Sequence, residues 1–234
     1  MKKISFIPWV VIAFLAVISC AKKKSDLFLF GVQGNVKTYT ENHFKAEQKF
    51  GDWQKGEPAD FGNMKVDFNR NGNYESLEFL NKRNELQEKR IIKRENGEIV
   101  SELSYDDNGK LTGHMDITHS SDTKLKFVNF DTEGNKTSKG VSFMENGRIV
   151  KQDITLFSSY AGGERKKILV YFEYDEYGRM ISQKQTRGDG EIEYHSIYKF
   201  TEFDENNNWT KRLDYSEDNS ETPNKVVTRT YEYY

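Results

Sequence analysis

Seven residues, Tyr174-Asp175-Glu176-Tyr177-Gly178-Arg179-Met180, recur in close variants along the chain and constrain its fold more than any other feature. The cassette returns at Phe68 to Tyr74 (FNRNGNY), Tyr105 to Leu111 (YDDNGKL), Phe143 to Ile149 (FMENGRI) and Phe203 to Trp209 (FDENNNW). An acidic or Asn residue opens a type I turn, polar residues fill it, and Gly or Asn takes the left-handed position that closes it. Such a unit is a three-residue hairpin with a bulge. Counting from the Gly, the residues three before and one after pair, which makes those four before and two after neighbours on one face. This predicts Phe68 beside Tyr74, Leu80 beside Leu86, Tyr105 beside Leu111, Phe143 beside Ile149, Tyr174 beside Met180 and Phe203 beside Trp209. In two cassettes a lysine takes one place, Lys93 opposite Ile99 and Phe130 opposite Lys136.

Turn signals follow one another at Gly72, Asn84, Gly97, Gly109, Asp122, Gly134 and Gly147, at intervals alternating between 12 and 13 residues. A strand of about eight residues plus a tight turn fills such an interval, the spacing of a β-meander. Later intervals, to Gly163, Gly178, Gly190 and Asn207, are 16, 15, 12 and 17 residues and place longer loops at 158–165 and 204–208. Glu75 to Arg94 is rich in helix formers, yet Leu80 and Leu86 flank Asn84 as the aromatics flank the glycines, so two strands are predicted there. Val32 to Phe44 and Lys45 to Trp53 read as further strands, Glu57-Pro58-Ala59 as a loop, and Val226 to Tyr234 as the last strand. The predicted fold is all-β: a single antiparallel meander of about a dozen or more strands, strongly twisted and curved into an open half-barrel or a closed barrel.

The chain starts with Lys2 and Lys3, followed by an apolar run from Ile4 to Ile18 and the small residue Ser19. This is the architecture of a bacterial secretion signal, too short and too interrupted by Pro8 for a membrane span. Val17-Ile18-Ser19-Cys20 resembles a lipobox, the motif at which a lipoprotein signal is cut and its cysteine acylated. The resemblance implies a signal peptide over 1–19 and a lipidated start leading into a tether over 20–30, ahead of the predicted β domain over 31–234. An ordinary signal with an incidental cysteine is the alternative. Cys20 is the only cysteine, so no internal disulfide staples the exported chain. Lys22, Lys23 and Lys24 suit anionic headgroups. By likeness to lipoprotein sorting, the anchor implies the outer membrane, with the protein facing the periplasm rather than the cell surface.

Removing Lys2 and Lys3 from the 35 basic residues leaves 33 against 37 acidic ones, so the mature chain carries a net charge of about −4. That balance excludes a nucleic-acid partner held by charge. Abundant Tyr and Phe among many charges suit sheets with one wet face.

The repeated cassettes at 105–111 and 174–180 resemble YD repeats of the Rhs type. With Gly34-Asn35-Val36-Lys37-Thr38 and Asn208-Trp209-Thr210-Lys211-Arg212, the mature chain is similar to small YD-repeat-like lipoproteins of Bacteroidetes. The resemblance implies fold and envelope location and carries no activity with it.

Asp67, Asn69, Asn71 and Glu78 match the spacing of a calcium loop, but Phe68 to Tyr74 is also an ordinary member of the turn cassette. His43, His114, His119 and His195 have no metal-ligand spacing, and on a continuous strand His114 and His119 fall on opposite faces. Gly162-Gly163-Glu164-Arg165-Lys166-Lys167 lacks the phosphate-loop pattern and reads as a basic hairpin loop. No ordered catalytic signature and no cofactor motif is present. Aromatics crowd the C-terminal half, and Tyr174, Tyr194, Tyr198 and Trp209 are candidates to face a ligand on the concave side of a curved sheet, against plain core packing. The main expectation is a non-enzymatic, lipid-anchored envelope protein that binds protein, peptide or glycan or acts as a scaffold. The other classes are a carrier of an apolar ligand in a half-closed sheet and a hydrolase whose residues meet only in three dimensions.

Overall fold

The computed structural model describes residues 25–60, 62–157, 165–217 and 219–234. A 3-10 helix, Asp26–Phe30, precedes fifteen strands. They are β1 (Val36–Lys49), β2 (Asp52–Pro58), β3 (Asn63–Phe68), β4 (Tyr74–Leu80), β5 (Leu86–Glu95), β6 (Glu98–Asp106), β7 (Leu111–Ser121) and β8 (Lys124–Asp131). There follow β9 (Lys136–Glu145), β10 (Arg148–Leu156), β11 (Lys166–Tyr174), β12 (Met180–Arg187), β13 (Ile192–Phe203), β14 (Trp209–Ser216) and β15 (Lys225–Tyr233). From β3 to β15 every strand pairs antiparallel with its neighbour in sequence. β1 pairs with β3 on one edge and with β15 on the other, from Val36↔Tyr233 to Lys45↔Lys225, so the meander closes into a barrel. Fourteen strands form the ring, and β2 stands outside it as hairpin partner to the distal half of β1. Closure removes the two unpaired edges that an open sheet of this length would expose.

The turn cassettes set the register in two ways. Asn69, Asn81, Asp106, Asp131 and Asp204 each open a turn and accept, on one side-chain oxygen, the backbone N–H two and four residues on. Asp175 accepts the N–H of Arg179 at 2.8 Å in the same way. All six close as three-residue turns with the predicted pairs: Phe68↔Tyr74, Leu80↔Leu86, Tyr105↔Leu111, Phe130↔Lys136, Tyr174↔Met180 and Phe203↔Trp209. Two pairs are corrected. Phe143 lies opposite Lys151 instead of Ile149, and Ile99 lies opposite Arg94 instead of Lys93. In these two turns the opening position holds Met144 or Arg94, which offers no short side-chain acceptor. Asn96-Gly97 and Asn146-Gly147 both take positive φ at both residues and form two-residue turns instead.

The start of the barrel also differs from the expected boundaries. β1 runs unbroken through residue 44 to Lys49, turns at Phe50-Gly51, and returns in a β2 that reaches Pro58. Residues 26–30, expected in a polar tether, form the 3-10 helix, with Ser25 as its N-cap and Gly31 as its left-handed C-cap. Leu27, Leu29 and Phe30 are buried, and the Phe30 ring lies 5.1 Å from Phe68 and 5.3 Å from Tyr74. The helix plugs one end of the barrel. Cys20 and the predicted secretion signal, and the predicted loop around Gly162-Gly163, lie outside the described residues.

A round barrel of fourteen strands would enclose a lumen. Here the interior is filled, because Val66, Leu125, Ser142, Gln152, Val170 and Val227, on six strands around the ring, are each 0% exposed. The outer face carries Asp116, Lys126, Lys139, Lys167, Lys184 and Lys199 at outward positions. A charge facing lipid at the middle of a bilayer costs about 2–4 kcal/mol, so this wall is built for water. A second small core lies outside the ring, where Ala46 and Trp53 of the β1–β2 hairpin cover Leu213, Tyr215, Val226 and Ile197.

Candidate functional site

Inside the barrel, β1, β14 and β15 bring together a network of buried charges. The register sets Glu41 opposite Arg229, while Arg212 and Asp214 alternate inward on β14. Arg229 Nε donates to Glu41 Oε2 at 2.7 Å, Arg212 grips Asp214 with two bonds at 2.6 and 3.0 Å, and His43 Nε2 lies 2.8 Å from Glu41 Oε1. Both guanidiniums stack on aromatic rings, Arg229 at 4.1 Å from Tyr39 and 4.2 Å from Trp209, Arg212 at 4.5 Å from Tyr198. Burial alone would push the Glu41 carboxyl up, but Arg229, Arg212 and the bond to His43 hold it well below the usual carboxylate range. Across the ring, burial pushes Glu102 up even though Arg90 lies 3.2 Å away, and the Glu88 carboxylate, 2.6 Å from Arg90 on its other side, adds to the rise. These groups are enclosed and paired largely with one another, with His43 Nδ1 and Arg229 Nη1 left buried without a hydrogen-bond partner among the described residues, and the enclosure suits a structural role.

Two surface features are less easily explained by packing. The first is the end of the barrel that holds the 3-10 helix, where the turns at 69–73, 96–97, 146–147, 175–178 and 204–208 gather. Open clefts of about 190 and 490 Å³ flank the helix, lined by Ser25, Leu27, Phe28, Arg70, Tyr177 and Tyr234 among others. Arg148 lies 3.6 Å from the Phe28 ring, beneath Gly178. Arg179 stacks on Tyr177 at 4.7 Å and Phe203 at 4.8 Å, and its Nε donates to Asp175 at 2.6 Å.

The second feature is the tip of the β1–β2 hairpin. β1 continues beyond its last pairing with β15, and at the turn Phe50 is 103% exposed with φ +55°. A bulky side chain in the left-handed region is a strained choice that Asn or Gly would avoid. Exposing the whole ring adds an unfavourable hydration term. The sequence reading missed this position because it ran one strand from Lys45 to Trp53. The signal that would have found it is Phe50-Gly51 between two runs of alternating polarity.

A third cluster has the outline of a catalytic triad. On the outer face, Ser182 Oγ is 3.1 Å from His195 Nε2, and His195 Nδ1 is 2.8 Å from Glu217 Oε2. The second contact is out of line for a hydrogen bond. Ser182 is buried in mid-strand, paired on both sides with Glu173 and Ile197, so its backbone has no free N–H pair to receive an oxyanion.

The calcium-loop residues are not brought together. Asp67 accepts from Thr38 and Ser76 hydroxyls, Asn69 caps its turn, Asn71 lies in it, and Glu78 pairs with Lys89 at 2.8 Å. Among the described residues no group of three or more His, Cys, Asp or Glu side chains could hold a metal ion. Of the aromatic candidates, Tyr198 and Trp209 are buried in the charged interior, contrary to a ligand-facing role. Tyr174 is half-buried and donates to the Ile149 carbonyl at 2.9 Å, while Tyr194 is exposed at the opposite rim. His114 stacks outside on Phe130 at 4.8 Å and His119 turns inward to the Ile99 carbonyl at 3.3 Å, on opposite faces as the strand period requires. The described residues pack the interior of the closed sheet and leave no apolar chamber among them for a carried ligand, and the carrier reading is dropped.

No known family model matches the chain, and no curated protein does. Among solved structures it is similar to a porin-like protein from Bacteroides uniformis ATCC 8492, at 9% identity and a TM-score of 0.41, covering 84% of this chain and 96% of that one. A porin-like protein from Bacteroides vulgatus ATCC 8482 gives 12% identity and a TM-score of 0.40, covering 84% and 98%.

Proposed function

We propose that this is a lipid-anchored protein of the bacterial cell envelope, held at the periplasmic side of the outer membrane, which works without catalysis as a binding module and takes its protein partner at the hairpin tip. The observation that carries this reading is Phe50, wholly exposed and in a strained backbone conformation at the end of a projecting hairpin. An apolar side chain on a rigid two-stranded arm is an anchor for a socket on another protein. The signal-like start and Cys20 support the envelope location. The filled interior and the charged wall leave the outer surface and its projections as the places where a partner can bind.

A photo-crosslinking residue in place of Phe50, introduced in the native host, tests this. A discrete crosslinked protein is expected from position 50 and not from a control at Leu111. Identical smears from both positions, or no product from either, would end the reading.

The hydrolase reading ranks second, favoured by the Ser182–His195–Glu217 distances. It predicts labelling by a fluorophosphonate that Ser182→Ala abolishes. The misaligned Glu217 and the lack of an oxyanion site lead us to expect none.

A further inference from the structure

We propose that the helix end of the barrel is a membrane-resting face, with Tyr177, Phe203, Tyr233 and Tyr234 at headgroup level and the Phe50 tip directed away from the bilayer. The inference rests on the lipid anchor at Cys20 proposed above. Three observations carry it.

The first is where the chain enters the fold. Ser25 is fixed at the helix end, its hydroxyl donating to the Gly72 carbonyl at 2.9 Å. Cys20 is five residues earlier, a span of roughly 17 Å at most. The eight residues of β8 are about 26 Å long at a rise of ~3.3 Å each. An anchor at Cys20 therefore reaches the bilayer from the helix end, and it cannot bring the opposite end down to it.

The second is where the exposed rings are. Tyr177, Phe203, Tyr233 and Tyr234 surround the helix and are from 37% to 49% exposed. The hydroxyls of Tyr233 and Tyr234 are held by Asp204 and the Phe68 carbonyl, so what these residues present is ring. Arg179 lies against Tyr177 and Phe203, and Arg70 lies 5.3 Å from the Tyr234 ring. Rings interleaved with guanidiniums suit the boundary between acyl chains and phosphates.

The third is charge. On the turns around the helix Arg70 and Arg179 stand against Asp175, Glu176, Asp204 and Glu205, and in the sequence Lys22, Lys23 and Lys24 precede Ser25. The rim is thus neither strongly basic nor acidic, and its rings, not its net charge, would make the contact. It should therefore rest on zwitterionic lipid.

A single acyl chain coupled through maleimide to Cys20, the only cysteine, allows the test on phosphatidylcholine vesicles. Hydrogen exchange should slow on binding at turns 175–178 and 204–208 and at residues 233–234. It should be unchanged at 106–110, 131–135 and 187–191. Slowing at the second group, or none at the first, overturns the orientation. Tyr177→Ser with Phe203→Ser should lower vesicle partition by about tenfold, whereas Ile192→Ser with Tyr194→Ser, on the opposite rim, should not. Equal losses would overturn it as well. Because the exchange experiment uses the natural sequence, it stands even if the double variant folds poorly. Labelling of cells with an alkynyl fatty acid, with Cys20→Ser as control, tests the anchor separately. Absence of label sinks the anchor and this proposal with it; label without protection at the helix end sinks the orientation alone.

Discussion

Gly178 shows how a residue can be constrained twice. Its φ of +83° is one that a β-branched side chain resists, and the Arg148 guanidinium occupies the space where a Cβ would project. Gly178→Val should therefore destabilise by about 3 kcal/mol or more, part backbone strain and part displacement of Arg148 from Phe28 and Tyr174. Asp175→Asn keeps the acceptor for the Arg179 N–H and weakens a mostly buried ion pair to a neutral hydrogen bond, a change of about 1–2 kcal/mol. Urea midpoints of the two variants should differ accordingly, and equal midpoints would contradict the account of the turn. Phe50 is the converse case. Phe50→Asn should raise stability by roughly 0.5–1 kcal/mol by relieving the left-handed strain, while abolishing the crosslink-defined partner. A residue whose removal stabilises the free protein is retained for something other than folding. The left-handed glycine was legible in the sequence from its place in the cassette, but the arginine beneath it was not, since Arg148 comes from a different hairpin.

At the level of elements, a short acceptor at the opening position accompanies the three-residue turn in six hairpins, and a seventh, opened by Arg187, forms the same turn without one. Where Asp or Asn stands there, the side chain captures one or two backbone N–H groups of a three-residue turn; where Met144 or Arg94 stands there, the Asn-Gly that follows takes positive φ at both residues and folds as a two-residue turn. Asp106→Ala should cost about 1–2 kcal/mol through the two lost hydrogen bonds. It should also loosen exchange protection at the Tyr105↔Leu111 pair. The same rule marks what could be read beforehand. Turn spacing located β3 to β10 and the strand pair at Glu75 to Arg94, because a period-2 core face overrides helix propensity. The observed register departs from the predicted pairs at the turns opened by Met144 and Arg94, whose side chains offer no short acceptor. The hairpin tip was hidden for a related reason. Phe50-Gly51 lacks the Asx signature of the other turns, so the clearest candidate for binding looked like mid-strand.

The whole molecule poses the question of why a closed barrel should fill itself with charge. Its interior holds buried ions on different walls, and two of the acids respond to pH in opposite directions. Glu41, with Arg229 and Arg212 beside it, has a lowered folded-state value; Glu102, desolvated by burial and near the Glu88 charge, has a raised one. A lowered carboxyl contributes stability above its unfolded value, about 4.3, and loses it as pH falls below that. A raised one favours the fold when protonated and costs stability as pH rises past the same point. Removing them should therefore separate the effects. Glu41→Gln leaves Arg229 buried without its counter-charge and should cost about 3 kcal/mol at pH 7. That cost should shrink steadily as pH is lowered below about 4. Glu102→Gln keeps a partner for Arg90 in Glu88 and relieves a desolvated charge, so it should be neutral or stabilising by up to about 1 kcal/mol at pH 7. Its advantage should vanish in acid, where Glu102 is already neutral. Urea unfolding of both variants from pH 7 down to pH 3 measures this directly. Parallel pH profiles for the two substitutions would show that the interior charges act as one diffuse field. Diverging profiles would show two independent locks, one holding the seam where β1 meets β15 and the other the β5–β6 wall.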